Sequence, residues 1–445
     1  MTGRTDEPHG ELEPLGPPSS AASGASGSAG SAGSSGSSGS SGQASTGGPR
    51  SSTPGSAREV FGAFLRLGLT SFGGPVAHLG YFRAELVERR RWLSDGEYAD
   101  IVALNQLLPG PASSKVGMAI GLHRAGGLGM LAAWAAFTLP SALALFAFAA
   151  GVNALGDVSG AGWVAGLKAA AVGVVAHAVL GMARTLTPDV RRGAIALLGL
   201  AVMIVFPGPL TQVGVIVGAA VLGLLALRTV TLPAGDAAAL AVRVPRWVAL
   251  VAGGLFVALL RGLPVLARGD GGTLGLADVF YRSGALVFGG GHVVLPLLEA
   301  QTVQPGLVAP DTFLAGYGAA QAVPGPLFSV AAFLGAVMTS PPSGVLGAVI
   351  ALVAIFLPGA LLVLATMPFW ARLRSLRGMR RAIMGANAGV VGLLAAALWD
   401  PVITHGVTSW GSGVLAAVAF AALLTRRVPP WAVVVGCALL GALLL

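Results

Sequence analysis

Two short segments of this chain combine proline, glycine and hydroxyl residues in a pattern that suits anion binding. A helix that starts inside an apolar segment directs unpaired N–H groups and a positive dipole end at whatever lies ahead. Proline suits the first position of such a helix, because its missing N–H would have no partner there. Backbone donors, hydroxyls and a cation together predict an oxyanion site. The residues are Pro109, Gly110, Pro111, Ser113, Ser114 and Lys115 in the first segment, and Pro324, Gly325, Pro326 and Ser329 in the second.

Glycine pairs and uncharged polar residues mark further candidates beside these segments. The glycine pairs predict additional helix breaks. The polar residues are either selectivity contacts for a substrate or partners in interhelical hydrogen bonds. The candidate substrate-binding residues of this group are Gly73, Gly74, Pro75, Asn105, Gln106, Gly289, Gly290 and Gln321.

Four ionisable side chains within apolar segments each admit two interpretations. Lys115 either pairs with an anionic substrate or a carboxylate, or it extends to the cytoplasmic surface. Arg66 is either a second anion contact or an anchor near the cytoplasmic face. His78 and His292 either carry a coupling proton or pack between helices through hydrogen bonds.

The composition indicates a protein that lies largely in a membrane. Of the 445 residues, 54% are hydrophobic and 10% are charged, whereas roughly 25% of the residues of a soluble domain are charged. Several apolar runs reach the ~20 residues that cross a bilayer. They include Leu128–Ala150, Trp247–Leu266 and Ala348–Met367. We therefore predict a multi-pass, all-α protein of the cell membrane, in contact with the lipid bilayer.

Charge and motifs exclude several other classes of protein. The net charge of +9 comes almost entirely from arginines in short loops, as in the cytoplasmic anchors of membrane proteins, so no nucleic-acid partner is predicted. The single cysteine, Cys437, excludes a disulfide framework and a cysteine metal site. The sequence lacks the Gly-Lys-Ser/Thr phosphate loop and the His-Glu-x-x-His and Gly-x-Ser-x-Gly motifs, so no ATP site, enzyme activity or cofactor is predicted.

The chain also repeats itself internally. Residues 72–74 (Phe-Gly-Gly) recur at 288–290, an offset of 216, and residues 106–111 recur at 321–326, an offset of 215. Two landmarks in the same order with one residue of drift indicate a duplication. The predicted domains are a disordered Ser/Gly-rich tail (1–57), a first repeat (58–227), a linker with one extra span (228–277) and a second repeat (278–445).

Loop charge predicts that the two repeats have opposite orientations in the membrane. The loop 81–98 carries four arginines and its counterpart 298–312 carries no lysine or arginine, whereas 151–163 is bare and its counterpart 370–381 carries five arginines. Basic loops stay in the cytoplasm, so corresponding loops lie on opposite sides, as in inverted-topology repeats. The alternation holds only if 99–122 turns back within the membrane at its Pro-Gly-Pro break. The predicted fold has about nine full spans plus re-entrant hairpins.

Several ordered motifs resemble the chromate ion transporter family, in its long, two-domain type. The first-domain motifs are residues 67–78, 88–93 and 107–114, and the second-domain motifs are 288–292 and 323–326. The resemblance implies a transporter that exports chromate from the cytoplasm, is driven by the proton motive force and confers chromate resistance. It implies chromate and protons as partners and leaves a homodimer open.

Two other functions remain open at the level of sequence. Sulfate presents the same tetrahedral set of oxygens as chromate, so a permease for sulfate or another oxyanion, or an importer, has the same signature. A membrane scaffold, in which the breaks only shape helix packing, is a different class. It gives no reason for a polar, glycine-rich centre in both repeats.

Overall fold

The computed structural model of the chain describes residues 55–155, 160–227, 244–269, 272–288, 291–369, 376–425 and 427–445. In these ranges the structure is helical, without strands. Most of the predicted tail, part of the predicted linker, and the candidate residues Gly289 and Gly290 lie outside the described residues.

The helices follow the predicted repeat. Those of the first half are α1 (Ala57–Thr70), α2 (Gly74–Phe82), α3 (Asp95–Leu107), α4 (Ala112–Leu155), α5 (Gly162–Leu186), α6 (Val190–Val205) and α7 (Pro209–Ala226). Helix α8 (Arg246–Leu266) joins the halves. Those of the second half are α9 (Thr273–Ala285), α10 (Val294–Thr302), α11 (Pro310–Ala322), α12 (Val330–Val337), α13 (Gly344–Thr366), α14 (Arg377–Ala397), α15 (Trp410–Leu424) and α16 (Pro430–Leu444).

Two re-entrant hairpins begin the first half. A capping box of Ser94 and Glu97 starts α3, the proline-containing break ends it, and α4 bends sharply at Ala125 and Gly126. The Glu59 carboxylate, in the first turn of α1, accepts hydrogen bonds from Trp92 Nε1 at 2.9 Å and from Arg124 at 3.2 Å. Positions 59, 92 and 124 therefore meet at one end of the bundle. Helices α1 and α2 therefore form one hairpin that returns to the end where it started. Helix α3 and the first arm of α4 form a second such hairpin.

The described arginines of the other basic loops lie at this same end, which we call the basic end. Val60, Trp92 and Met367, just after α13, share one hydrophobic cluster. Arg191 donates to the carbonyl of Ala226 at 3.0 Å, which joins the start of α6 to the end of α7. The positive-inside rule assigns the basic end to the cytoplasm.

The corresponding hairpins of the second half open at the opposite end, which we call the far end. Thr339, just after α12, donates its N–H to the carbonyl of Leu307, just before α11, at 3.0 Å. Asp311, in the first turn of α11, pairs with Lys168 near the start of α5 at 3.0 Å. The second half is thus inverted relative to the first, as the loop charges predict.

Nine crossings connect the two ends in the described part of the chain. Five helical segments are long and apolar enough to span a bilayer: Ala112–Leu155, Gly162–Leu186, Arg246–Leu266, Gly344–Phe369 and Arg377–Gly406. The shorter helices α6, α7, α15 and α16 complete the set. The prediction of an all-α, polytopic membrane protein with broken helices is confirmed.

Glycines let helices of opposite halves approach closely. A Cβ at Gly166 of α5 would lie 2.1 Å from the carbonyl oxygen of Cys437 in α16. A Cβ at Gly385 of α14 would lie 2.2 Å from the carbonyl oxygen of Ala219 in α7. Small residues at such crossings allow the backbone contact that stabilises membrane helices. Each half therefore packs its long helix against the last helices of the other, and the repeats form one intertwined body.

Candidate functional site

The helix breaks of the two halves meet through a crossed pair of main-chain hydrogen bonds. Gly110 N–H donates to the carbonyl of Val287 at 2.7 Å, and Gly325 N–H donates to the carbonyl of Ser71 at 2.9 Å. Gly110 corresponds to Gly325, and Ser71 to Val287, at the offsets of the repeat. Both glycines have positive φ, at 105° and 102°, a conformation that other residues rarely adopt. The predicted breaks therefore form the centre of the molecule.

The first meeting point is the lysine junction, formed by residues 108–111, residues 286–288, Lys115 and Gly359. The Lys115 side chain is fully buried, and its ammonium donates to the carbonyls of Asn105, at 2.7 Å, and Leu108. These carbonyls belong to the last turn of α3 and to Leu108, the residue that follows it, where no intrahelical partner exists. Lys115 thus stabilises the broken helix end, an arrangement that differs from both sequence interpretations. Gly359 makes room for the lysine, since a Cβ there would lie 3.1 Å from Lys115 Cγ.

The second meeting point is the serine junction, formed by residues 71–73, residues 323–326, Ser141 and Ser329. The hydroxyls of Ser141 and Ser329 lie 2.6 Å apart, and Ser329 also donates to the carbonyl of Pro326 at 2.7 Å. Both serines are buried. A Cβ at Gly325 would lie 2.9 Å from Ser141 Oγ. No lysine enters here, because Val330 occupies the position equivalent to Lys115.

Helix N-termini from both halves converge on these junctions. Helix α2 begins at Gly74-Pro75 and α4 at Ala112. Single turns at Gly291–Val293 and Leu327–Ser329 lead into α10 and α12. A Cβ at Gly291 would lie 3.3 Å from Pro75 Cγ and 3.7 Å from Leu327 Cδ2, so three of these four ends are in contact. Such a set of N–H groups and dipole ends favours a negative charge nearby.

Several buried polar atoms near the junctions have no hydrogen-bond partner within the protein. Buried polar groups in proteins are nearly always hydrogen-bonded, so these atoms are available to water or a ligand. They are Ser71 Oγ, Asn105 Oδ1, Ser114 Oγ, Thr138 Oγ1 and Gln321 Nε2. Ser114 has no partner because its counterpart Ser329 bonds to Ser141, whereas the position equivalent to Ser141 is Gly359. This equivalence follows from the matching sequences Leu-Pro-Ser-Ala-Leu (139–143) and Leu-Pro-Gly-Ala-Leu (357–361), at an offset of 218.

The remaining candidates lie either at the junctions or on their exposed side. His78 Nδ1 is 3.2 Å from Ser113 Oγ, and His292 Nδ1 is 2.8 Å from the Tyr317 hydroxyl. Each histidine thus has the hydrogen bond expected of a packing residue, and its use as a proton carrier stays a prediction. Arg66, Gly73 and Gln106 are exposed, whereas Pro109 is partly buried. In the described residues, no cluster of three or more His, Cys, Asp or Glu side chains could hold a metal.

Comparison with known proteins identifies the family of this architecture. The sequence pattern of the Chromate transporter family matches residues 58–224 and again residues 274–442. The chain belongs to the chromate transporter family. Each of the two matches contains one pair of helix breaks, so every junction unites both copies of the family pattern.

Individual chromate transporter relatives are similar over most of the chain. A chromate transport protein of Pseudomonas aeruginosa is 29% identical over 378 residues, which cover 81% of this chain and 86% of the relative. One from Cupriavidus metallidurans is 27% identical over 394 residues, 86% of this chain and 92% of the relative. A probable chromate transport protein of Synechococcus elongatus is 28% identical over 77% of this chain and 84% of the relative. No solved structure matches. The protein is a membrane transporter and not an enzyme.

The structure of this chromate transporter also reveals polar residues that the sequence interpretation missed. Thr138 and Ser141 are buried beside the serine junction, but they lie within a long apolar helix and no sequence signal distinguishes them. Arg282 does have a signal, because it follows Arg66 at the repeat offset of 216. It forms an ion pair with Asp278 at 2.5 Å.

Proposed function

We propose that this transporter exports chromate from the cytoplasm and draws on the proton motive force. The observation that carries the proposal is the pair of crossed junctions, where helix N-termini of two inverted repeats meet at the centre of a family member. Interrupted helices at corresponding places in inverted halves mark the binding sites of secondary transporters.

The chemistry of these junctions suits a tetrahedral dianion. Such an anion needs several N–H and O–H donors and a positive potential, without an excess of fixed charge that would trap it. Helix N-termini supply about half a positive charge each, and Ser71, Ser114 and Thr138 supply hydroxyls without protein partners. The membrane potential also favours outward movement of an anion, by about 2.3 kcal/mol per charge per 100 mV.

Lys115 has a specific place in this proposal. In the present conformation its ammonium bonds to carbonyls of α3 and faces no open space. We propose that a shift of this hairpin exposes the N-terminus of α4, together with Ser113, Ser114 and the ammonium, to the substrate. His78 and His292, each hydrogen-bonded to a hydroxyl, are the proposed carriers of the coupling proton.

Uptake of chromate into everted membrane vesicles tests this function, because uptake there corresponds to export in the cell. We expect energised vesicles that contain the protein to accumulate chromate faster than vesicles without it. Nigericin and valinomycin, added separately, distinguish the pH gradient from the membrane potential as the source of energy. Accumulation that neither ionophore lowers would contradict coupling to the proton motive force.

Sulfate is the informative competitor, since its oxygens present the same geometry. Inhibition of chromate uptake by sulfate indicates one shared oxyanion site. If labelled sulfate accumulates and chromate does not, the protein is an oxyanion permease and the chromate assignment fails.

A further inference from the structure

The two inverted halves carry equivalent arginines whose surroundings differ in one carboxylate. Arg66 lies nine residues after Ala57, the first residue of α1, and Arg282 lies nine residues after Thr273, the first residue of α9. Each precedes its Phe-Gly-Gly sequence by six residues. Nine residues correspond to about 14 Å of helix. Each arginine therefore lies between its own end of the molecule and the junction to which its helix leads.

Arg282 is neutralised within its own helix. Asp278, one turn earlier, accepts a hydrogen bond from Arg282 Nη2 at 2.5 Å, and the aspartate side chain is only 6% exposed. The pair is incomplete, because Asp278 Oδ1 and Arg282 Nε have no hydrogen-bond partner. A guanidinium can hold an oxyanion through two parallel N–H groups. The carboxylate thus occupies part of a fork that would otherwise suit a tetrahedral anion.

Arg66 has no such partner. The position equivalent to Asp278 is Gly62, again at the offset of 216, and no carboxylate among the described residues contacts Arg66. The arginine is exposed beside Gly62 and Thr70. An uncompensated arginine at this depth is costly in hydrocarbon, so it requires contact with water or an anion.

We propose that Arg66 attracts the oxyanion at the cytoplasmic approach, and that Asp278 keeps Arg282 from doing the same at the exterior approach. The carboxylate and the substrate compete for one guanidinium, so the exterior approach binds the anion weakly and releases it readily. The difference between Gly62 and Asp278 thereby makes the two approaches unequal in anion affinity. This inference rests on the proposed oxyanion transport and adds to it a difference in anion affinity between the two sides.

The structure offers a reciprocal pair of variants as the test. Asp278→Asn removes the competing charge in the second half while keeping a hydrogen-bond acceptor for Arg282. Gly62→Asp installs the same carboxylate beside Arg66. A Cβ at Gly62 would meet no atom within 4 Å, so the helix accommodates the change. Gly62→Asn is the uncharged control, and Asp278→Asn combined with Arg282→Gln is the control without the guanidinium.

Half-saturating chromate concentrations, measured from each side of the membrane, give the result. Everted vesicles report the cytoplasmic side, and right-side-out vesicles loaded with chromate report the exterior side by exchange. We expect Asp278→Asn to lower the exterior value about tenfold and leave the cytoplasmic value unchanged. Gly62→Asp should raise the cytoplasmic value about tenfold and leave the exterior value unchanged. Both controls should stay within about twofold of the parent protein on either side.

Two results would overturn the inference while leaving the proposed transport intact. One is equal exterior affinity in the parent protein and Asp278→Asn, with both present in the membrane in equal amounts. The other is a shift in Gly62→Asn as large as that in Gly62→Asp. If the parent protein moves neither chromate nor sulfate, the proposed function fails. Equilibrium binding of labelled sulfate to the purified variants then decides the inference, since Asp278→Asn must bind more tightly than its double-variant control.

Discussion

The lysine junction and the serine junction have the same main-chain arrangement but different side chains. Each contains one glycine of positive φ whose N–H reaches the other half. Only the lysine junction holds a buried cation, and only the serine junction holds a pair of bonded hydroxyls. Glycine at 359 admits the lysine stem, whereas serine at 141 fills the equivalent space. The two repeats thus share the main-chain frame of the junctions, whereas the side chains that supply charge or hydroxyl groups differ between them.

The same inequality extends to the hairpins around the junctions. Several polar residues of the first half have apolar residues at the equivalent positions of the second half. Asn105 corresponds to Ala320, Ser113 to Phe328 and Lys115 to Val330. The counterparts are buried as well. The second half therefore contributes helix ends and packing, whereas the first half contributes most of the side-chain donors.

The comparison of the two junctions depends most strongly on the opposite orientation of the two halves in the membrane. We expect a cysteine at Arg90 to react with a membrane-impermeant maleimide only from the cytoplasm, and one at Gln304 only from outside, since the two loops belong to inverted hairpins. The native Cys437 is buried, and a Cys437→Ala parent removes its background. Labelling of both positions from one side would end the comparison, because the halves would then be parallel.

Lys115→Met should produce the largest loss of stability among single substitutions at the junctions. It leaves the carbonyls of Asn105 and Leu108 without their buried donor, at about 1–3 kcal/mol for each unsatisfied group. Thermal unfolding in detergent measures the effect. Val330→Met, at the equivalent buried position, is the matched control and should cost less, because it brings only overpacking, at about 1–3 kcal/mol, and leaves no carbonyl without a donor. Equal melting temperatures for the two variants would show that the ammonium does not stabilise its junction.

Alanine substitutions at Gly110 and Gly325 should destabilise the protein to different extents. Both changes impose positive φ on a residue with a Cβ, at about 1–2 kcal/mol. Gly325→Ala should cost more than Gly110→Ala, because its Cβ would lie 2.9 Å from Ser141 Oγ, whereas the contacts at Gly110 begin at 3.5 Å. Adding Ser141→Gly should recover only part of this difference, because the Cβ would still lie 3.2 Å from the carbonyl oxygen of Phe137. The reverse order of unfolding temperatures would contradict the difference in packing.

Ser141→Ala should have the smallest effect. It deletes the 2.6 Å contact between two hydroxyls, but Ser329 keeps its bond to the Pro326 carbonyl. A net loss of about 1 kcal/mol of unfolding free energy follows, with chromate uptake close to that of the parent protein. A complete loss of uptake at normal expression would instead place Ser141 among the substrate contacts.

The sequence predicted the breaks and the inversion because both have local causes. Proline at 109 and 111 removes backbone donors, and glycine at 110 permits positive φ, so a helix cannot continue there whatever surrounds it. The arginine bias of the loops likewise acts on each loop separately. These features required no knowledge of tertiary contacts.

The pairing of the breaks and the partner of Lys115 could not be predicted in the same way. Nothing in the residues near Gly110 specifies Val287 as the acceptor, because the bond is between main-chain atoms of distant segments. The sequence places a lysine beside a break, but the carbonyls it bonds become available only when α3 ends one turn away. Ser141 carries one hydroxyl in a long apolar helix, and only its contact with Ser329 in the structure identifies it as a junction residue.

The crossed hydrogen bonds have the form of an isologous contact, in which one residue meets a second and their symmetry mates meet in return. Such a contact is what two separate copies of a single half would make if they inserted antiparallel to each other. The frame alone therefore does not require both halves in one polypeptide. A self-paired half would, however, carry Lys115 at both junctions, since its mate would be identical. Joining the halves in one chain allows one junction to keep the lysine while the other has valine in its place.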